Sequence, residues 1–357
     1  MGGYAKGPKT PEKRMVALQP GQVRITGLIV DELTRALGVI LKLDGPADVL
    51  MKLFFRSNTA GEMSLDDLLG AVPQLTEYAH ISGEQFSNID SSNMTEALWL
   101  QLVQRVNALG ADETVDGIVI THGTDSLEET AYFLQLTAHT NKPIVLVGSM
   151  RPATAISADG PLNLLEAVQL AADERTGTFG VVVAMNGTIC SARFVEKTDT
   201  THVDTFKSRQ QGLLGLMQDG NALWYQQPVR RHTTQSILSC DGVTALPKVE
   251  ILYAYVGMTT DMITSAKARG VEAIVLAGFG HGQMADNVAE ALHEAVRQGI
   301  LVVRASRTLG GAVTTVPKYS DFLSSDNLTP QKAKILMQLA LLQTRDYEAI
   351  QKIFQSY

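Results

Sequence analysis

Several features that mark particular classes of protein are scarce in this sequence. The 357 residues include two cysteines, Cys190 and Cys240, which give neither a disulfide framework nor the spacing of a zinc site. The seven histidines are scattered without a His-Glu-x-x-His pattern, so we expect no metal site. No apolar run approaches the roughly 18 residues that a transmembrane helix needs. These absences argue against a disulfide-rich scaffold, a metalloenzyme and a membrane-spanning protein.

Basic charge is also in short supply. Lys and Arg number 30 against 37 Asp and Glu, and the formal net charge of −7 argues against nucleic acid or an anionic membrane as a partner. The opening MGGYAKGPKTPEKRMVALQPGQ is basic, but no apolar segment follows it, so it does not look like a secretory signal peptide. Composition leaves the cellular compartment open.

What the chain does have is a regular alternation of apolar strands and amphipathic helices. Segments such as DGIVI, NKPIVLVGS and VEAIVLAGFG are each followed by a helical pattern, which predicts an α/β fold with parallel sheets and crossover helices. The length favours two domains. We expect an atypical N-terminal segment with a first strand near 48–55, a larger α/β domain, a linker and a smaller α/β domain. Their expected bounds are 1–60, 61–225, 226–247 and 248–357.

The most conspicuous polar cluster is THGTDSLEET, directly after the strand DGIVI. Ligands of open α/β sheets bind at the carboxyl ends of strands, where this cluster lies. The spacing equally allows a structural interpretation, in which Asp125 caps the next helix and Glu128 completes a capping box. That interpretation leaves the threonines and the histidine of the cluster unexplained. Both interpretations stay open here, and they are compatible, because a helix N-terminus also binds a carboxylate.

Three further polar clusters adjoin predicted elements. NIDSSNM at 88–94 precedes a helix and could simply supply its N-cap. VGSMRPATAISADGP follows a strand, and Arg151 within it could hold the loop by hydrogen bonds. VEKTDTTHVDTF places Lys197 among threonines. A lone lysine is usually a solvated surface group, but a desolvated amine beside a threonine could accept its proton.

Taken together, these stretches resemble the bacterial type II L-asparaginases, or asparaginase–glutaminases. The resemblance runs from about Ser64 to Tyr357. The segments that carry it are THGTDSLEETAYFL, KPIVLVGSMRPATAISADGPLNLLEAV, KTDTTHVDTFKS, LPKVEILYAY and NLTPQKAKILMQLALLQT. It implies a large N-terminal and a small C-terminal α/β domain, and hydrolysis of L-asparagine, often also L-glutamine, to the acid and ammonia through an acyl-threonine. It implies no cofactor, a homotetramer built from dimers, and a periplasmic location, with the cytoplasm as the alternative.

The same resemblance assigns roles to individual residues. Thr124 and Asp125 match a Thr-Asp pair and Lys197 matches a lysine, which together imply a proton relay. Lys197, kept neutral by burial, would draw the proton from Thr124, while Asp125 orients it and contacts the substrate α-amino group. Ser91 matches a serine that holds the substrate α-carboxylate. The backbone around Ser149 matches a segment that faces the substrate amide.

Gly123 and Ser92 belong to the same substrate-binding set, although Ser92 stands where the family has Gln or Glu. The family's first threonine motif, T-G-G-T-I-A-G, is absent. Its nearest substitute is Thr59 in KLFFRSNTAGE, and a second candidate, Thr26 in RITGLIV, lies far from the matching region.

Residues that a neighbouring subunit donates to the substrate's amino end also differ. The position of the donated Asn or Asp falls near Gly257 in this sequence. The donated Glu should lie in TLGGAVTTVPKYSD, which contains no Glu. The sequence therefore predicts an amidohydrolase for L-asparagine, and it leaves open whether L-glutamine is a second substrate. The alternative is a low-activity or inactive homologue that retains the fold and binds small amino acids.

Overall fold

The structure is a computed structural model that describes residues 24–28, 39–42, 54–57, 61–64, 72–87, 89–153 and 155–357. For the first four of these ranges, and for Gln85, the description covers the backbone alone. Thr59 and most of the expected strand near 48–55 lie outside the described residues.

The described strands are short and, in the sheet centres, completely buried. They are β1 (Arg24–Leu28), β2 (Val39–Lys42), β3 (Phe54–Ser57), β4 (Gly61–Ser64), β5 (His80–Gln85), β6 (Gly117–Thr121), β7 (Ile144–Val147), β8 (Val181–Met185), β9 (Thr188–Ser191), β10 (Glu196–Lys197), β11 (Phe206–Lys207), β12 (Gly215–Gln218), β13 (Asn221–Trp224), β14 (Val249–Tyr253), β15 (Ala273–Gly278), β16 (Leu301–Ser306) and β17 (Leu323–Ser324).

Nine of these strands form the larger sheet of the described chain, in the order β1-β5-β2-β6-β7-β8-β9-β12-β13, with β1 also pairing with β6. β1 is parallel to β5 and β6, and β6, β7 and β8 are parallel to one another in sequence. Continuous Val and Ile runs suit these strands, because helices cover both faces of such a sheet. From β8 onward β9, β12 and β13 pair antiparallel, an extension that the alternation of strands and helices did not predict.

The first described strand of this sheet precedes the expected strand near 48–55 in the chain. β1, with Thr26 opposite Ile118, lies beside β6. The expected strand near 48–55 contributes its last residues to β3, which pairs with β4 in a separate hairpin through Phe54 and Ser64. The strand that neighbours the one leading into THGTD is therefore β1.

The described helices follow the predicted amphipathic segments closely. They are α1 (Leu75–Tyr78), α2 (Glu96–Ala111), α3 (Leu127–Thr137), α4 (Gly160–Ala172), α5 (Asp261–Ala268), α6 (Asp286–Arg297), α7 (Pro330–Leu341) and α8 (Tyr347–Ser356). Helix α2 is capped by Thr95, whose hydroxyl accepts the Leu98 N–H at 3.2 Å, and it buries Leu102 and Val106 at helical spacing. None of the helices in the described part of the chain is long and apolar enough to cross a membrane.

The smaller domain contains a parallel sheet in the order β14-β15-β16-β17. Helices α5 and α6 connect its first three strands, as a parallel sheet requires. Helices α7 and α8 close the chain, and α7 packs against both α3 of the larger domain and the strands of the smaller one. One buried apolar cluster accordingly contains Phe133 and Leu134 of α3 together with Leu336 of α7. The predicted two-domain α/β fold is confirmed.

Candidate active site

The THGTD cluster forms the turn between β6 and α3. All five residues of β6 are buried, so the first side chains that can face an opening are those of the turn. Helix α3 begins at Leu127 after Ser126, and no side chain caps its first N–H groups. Asp125 and Glu128 make other contacts instead. The capping-box interpretation is therefore wrong.

Lys197 on β10 reaches the turn and bridges its two candidate catalytic residues. Its Nζ lies 2.9 Å from Thr124 Oγ1 and 2.5 Å from Asp125 Oδ1. Pairing of β10 with β11, Lys197 opposite Phe206, fixes the strand that carries the amine. Thr124 is 6% exposed, whereas the Lys197 and Asp125 side chains are 19% and 51% exposed.

These contacts define the electrostatics of the site. The Lys197 amine and the Asp125 carboxylate form an ion pair at 2.5 Å. The Lys197 side chain is partly buried, while the half-exposed Asp125 carboxylate leaves this pair open to solvent.

Ser91 joins this group and Ser92 does not. The hydroxyl of Ser91, 1% exposed, accepts the backbone N–H of Asp125 at 3.2 Å. The Ser91 carbonyl accepts the Ser126 hydroxyl at 2.6 Å. The Ser92 hydroxyl, in contrast, donates to Asp90 Oδ1 at 2.9 Å, and Asp90 caps the short helix by accepting the Ser92 backbone N–H. The Ser91 hydroxyl proton is thus free to point toward a ligand.

His122 holds the main chain at Gly123 by a hydrogen bond. The His122 ring is completely buried, and its Nδ1 lies 2.7 Å from the Gly123 carbonyl oxygen. Burial lowers the pKa of His122 to about 4, so the ring is neutral at pH 7 and serves as a donor to that carbonyl. His122 therefore shapes the turn without carrying charge into it.

The segment containing Ser149 packs directly against the turn. A Cβ at Gly148 would lie 2.7 Å from the His122 carbonyl oxygen and 3.3 Å from Thr124 Cγ2, so glycine allows this close approach. Asp159 then holds the following loop, accepting the Arg151 N–H and the Ser149 hydroxyl at 2.9 and 2.8 Å. The Ser149 side chain is occupied within its loop, which leaves the backbone as the part that can face a ligand.

Arg151 has the structural role considered from the sequence. Its Nη1 donates to the Ser157 carbonyl at 2.8 Å, and the side chain lies on the exposed part of the loop. It contacts none of the residues that surround Lys197.

Sequence reasoning missed a layer of buried charges behind the site. Glu128, 7% exposed, accepts the backbone N–H of Lys197 at 2.6 Å. Lys332 on α7 is 1% exposed and lies in the same charge cluster. Glu128 was visible only as half of a capping box, and Lys332 carried no signal, because lysines rarely occur completely buried.

The described residues contain no group of three or more His, Cys, Asp and Glu side chains placed to hold a metal ion. The site does contain a hydroxyl, an amine and a carboxylate in contact, from Thr124, Lys197 and Asp125. Ser91 and the closely packed loop after Gly148 lie beside them. That set can activate a hydroxyl and bind a ligand that carries both amino and carboxylate groups.

Family models match both halves of the chain. The model described as Asparaginase, N-terminal, matches residues 55–230, and the model described as Glutaminase/Asparaginase C-terminal domain matches residues 248–354.

Individual proteins match at similar length. L-asparaginase 2 of Bacillus subtilis is 44% identical over 84% of this chain and 80% of its own length. Glutaminase-asparaginase of Pseudomonas aeruginosa is 43% identical over 84% of each chain. A crystal structure of a probable cytoplasmic L-asparaginase from Campylobacter jejuni superimposes with a TM-score of 0.79 at 44% identity, covering 82% of this chain and 94% of that one.

Proposed function

This chain belongs to the asparaginase/glutaminase family, and we propose that it is an amidohydrolase that converts L-asparagine, and L-glutamine, to the acid and ammonia. The observation that carries the proposal is the bridge that Lys197 makes between Thr124 and Asp125 at 2.9 and 2.5 Å. Relatives that match most of the chain are named L-asparaginase 2 and glutaminase-asparaginase.

Asp125 would bind the α-amino group of the substrate. Asp125 is half exposed, so the α-ammonium of an amino acid can reach its carboxylate from solvent. With the substrate held at Asp125, the Lys197 amine, 2.9 Å from Thr124 Oγ1, is placed to accept the proton of this threonine.

The chemistry proceeds as acyl transfer in two halves. A threonine oxygen attacks the amide carbon after its proton passes to Lys197, and the carbon–nitrogen bond breaks as the nitrogen takes up that proton and leaves as ammonia. Water then attacks the acyl-threonine, and the threonine hydroxyl and the carboxylic acid are regenerated. Thr124 is the threonine that already contacts the amine. Thr59, outside the described residues, is the candidate for the family's first threonine.

The other end of the substrate would be held at the start of α3. The Ser91 hydroxyl can donate to the α-carboxylate while accepting the Asp125 N–H. Uncapped N–H groups at Ser126–Leu127 and the positive end of the helix dipole favour the same charge. The amide would then face the backbone near Ser149, where N–H groups can stabilise the oxyanion.

We also propose a homotetramer built from dimers. Tyr253, Tyr255, Val256 and Leu309, 51% to 92% exposed, lie at the carboxyl end of the small sheet together with Gly257. Large exposed apolar side chains grouped in this way favour a protein–protein contact. Light scattering on the purified protein would give four chain masses, and a monomer would contradict the proposal.

The names of relatives include both a probable periplasmic and a probable cytoplasmic asparaginase. We propose the periplasm, as for type II members, with the cytoplasm as the alternative. Cell fractionation followed by an immunoblot distinguishes the two.

Ammonia release from L-asparagine and L-glutamine tests the proposed function. We expect release by the wild-type protein and its loss in Thr124→Val, which keeps the shape of the side chain but removes the hydroxyl. Thr137→Val is the matched control, since Thr137 is also buried but its hydroxyl bonds the Phe133 carbonyl at the far end of α3. No release from folded wild-type protein, or equal release by both variants, would refute the proposal.

A further inference from the structure

Lys332, on helix α7 of the smaller domain, is buried behind Lys197. Lys332 is 1% exposed, and its Nζ donates to the carbonyl of Arg193 at 3.1 Å and to the carbonyl of Val195. Both carbonyls belong to the segment that leads into β10. Lys332 of the smaller domain therefore holds the main chain of the larger domain that carries Lys197.

Glu128 fixes the same segment from the opposite side. Its Oε2 accepts the Lys197 backbone N–H at 2.6 Å, and its own backbone lies in the first turn of α3. Thr124 and Asp125 immediately precede that turn. Glu128 thus links strand β10, which carries Lys197, to the turn that carries Thr124. A shift of one relative to the other must break this hydrogen bond.

The Lys332 amine is influenced by two carboxylates. Burial lowers the pKa of Lys332, while the carboxylates of Glu128 and Glu196 act in the opposite direction and favour its charged form. Glu196 lies immediately before Lys197, and Arg209 pairs with it at 3.2 Å. Removing one partner leaves the others buried without their counter-charge, which is costly in a poorly solvated interior. The cluster is thus interdependent.

From these contacts we propose that Glu128 and Lys332 are positioning residues that hold the Lys197 amine in hydrogen-bond contact with Thr124. The proposal rests on the proposed amidohydrolase function for its kinetic consequence. Both residues bond the main chain around Lys197 and not the Thr124 hydroxyl. Their effect is on the rate of the chemical step rather than on substrate binding, because proton transfer depends steeply on donor–acceptor geometry.

The first test replaces Lys332 with methionine, which preserves length and removes the donors. We expect kcat per folded molecule to fall about 10- to 100-fold, with KM changed by less than about twofold. The matched control is Lys334→Met on the same helix. Lys334 also makes an interdomain ion pair, to Glu96 at 2.6 Å, but it bonds neither the 193–195 carbonyls nor Glu128. Its kcat should stay within about twofold of wild type.

The second test uses Glu128 and does not depend on whether Lys332→Met folds. Glu128→Gln retains an oxygen that can accept the Lys197 N–H, whereas Glu128→Met retains only the shape. We expect Glu128→Gln to keep most of the wild-type kcat and Glu128→Met to lose about 10- to 100-fold. A purely structural role would lower the melting temperature of these variants without this difference in kcat.

A third readout is independent of activity. Hydrogen exchange followed by mass spectrometry should show faster exchange at the Lys197 amide in Lys332→Met and Glu128→Met, but not in Lys334→Met. Wild-type kcat in Glu128→Met, or equal behaviour of Lys332→Met and Lys334→Met, would overturn the inference. If the wild-type protein releases no ammonia, the proposed function fails, and the exchange rates alone decide whether these residues hold Lys197.

Discussion

His122-Gly123 follows β6 in the larger sheet, and His281-Gly282 follows β15 in the smaller one, each at the carboxyl end of a buried parallel strand. Open α/β sheets bind ligands at such ends, so position in the fold favours both turns equally as sites. Their surroundings separate them. His122 is completely buried beneath its turn, whereas His281 is exposed.

Each turn also has a cation beside it, and the two cations differ in what they contact. Arg304 is completely buried, and it donates to the carbonyls of His281 at 2.7 Å, Gly282 at 3.3 Å and Thr314 at 3.2 Å. Lys197, in contrast, contacts a hydroxyl and a half-exposed carboxylate. A cation directed at main-chain carbonyls holds a loop in place, while one that bridges reactive side chains open to solvent can move a proton.

The largest expected effect is the loss of activity on replacing Lys197, which lies beside the His122-Gly123 turn. Lys197→Met should reduce ammonia release about 10³-fold, because it removes the proposed general base, while the melting temperature changes little. Lys207→Met is the control, since Lys207 lies on the paired strand β11 and contacts only Asp204, at 3.0 Å, among described charged partners. Steady-state kinetics and thermal melts on the same samples check both. Appreciable residual activity in Lys197→Met would show that another group takes the proton.

The complementary change at the second turn should give the opposite pattern. Arg304→Met leaves three carbonyls without their donors, which we expect to lower the free energy of unfolding by about 3 to 4 kcal/mol. Ammonia release per folded molecule should stay near wild type. Arg297→Met removes an exposed arginine that pairs with Glu294 and should stay within about 0.5 kcal/mol. Urea unfolding measures both, and a loss of kcat in Arg304→Met would erase the distinction between the turns.

The sequence predicted the elements far better than it predicted the contacts of the site. Strand and helix periodicity placed β6, α3 and the smaller domain, because those segments bury continuous or one-sided apolar faces. The antiparallel extension through β12 and β13 escaped prediction, since residues 215–224 form a short, partly exposed hairpin with little periodicity. The Thr-Asp pair and Lys197 were recognised by resemblance, while their mutual distance came only from the fold.

Glu128 and Lys332 explain why the rest was missed. The D-x-x-E spacing of Asp125 and Glu128 is a valid capping pattern, yet tertiary contacts with Lys197 replaced the cap. Lys332 lies between apolar and polar neighbours in a helix, and a local pattern cannot indicate that its amine will meet carbonyls of another domain. Long-range contacts of this kind are invisible to periodicity, because they depend on how two domains pack.

The histidines of the two turns provide the smallest and most selective test of the comparison. The pKa of His122 is lowered from 6.5 to about 4 by burial. Between those values the unfolded chain binds a proton at His122 that the folded chain does not. The free energy of unfolding is therefore unaffected by the titration of His122 above pH 6.5, and it decreases as the pH drops toward 4. The loss amounts to at most about 3 kcal/mol. His122→Gln should therefore flatten the acid limb of unfolding free energy against pH, whatever its stability at neutral pH, whereas His281→Gln should keep the wild-type slope. If His122→Gln loses as much stability on acidification as the wild type, the buried neutral histidine is not what distinguishes the first turn, and the contrast rests on the two cations alone.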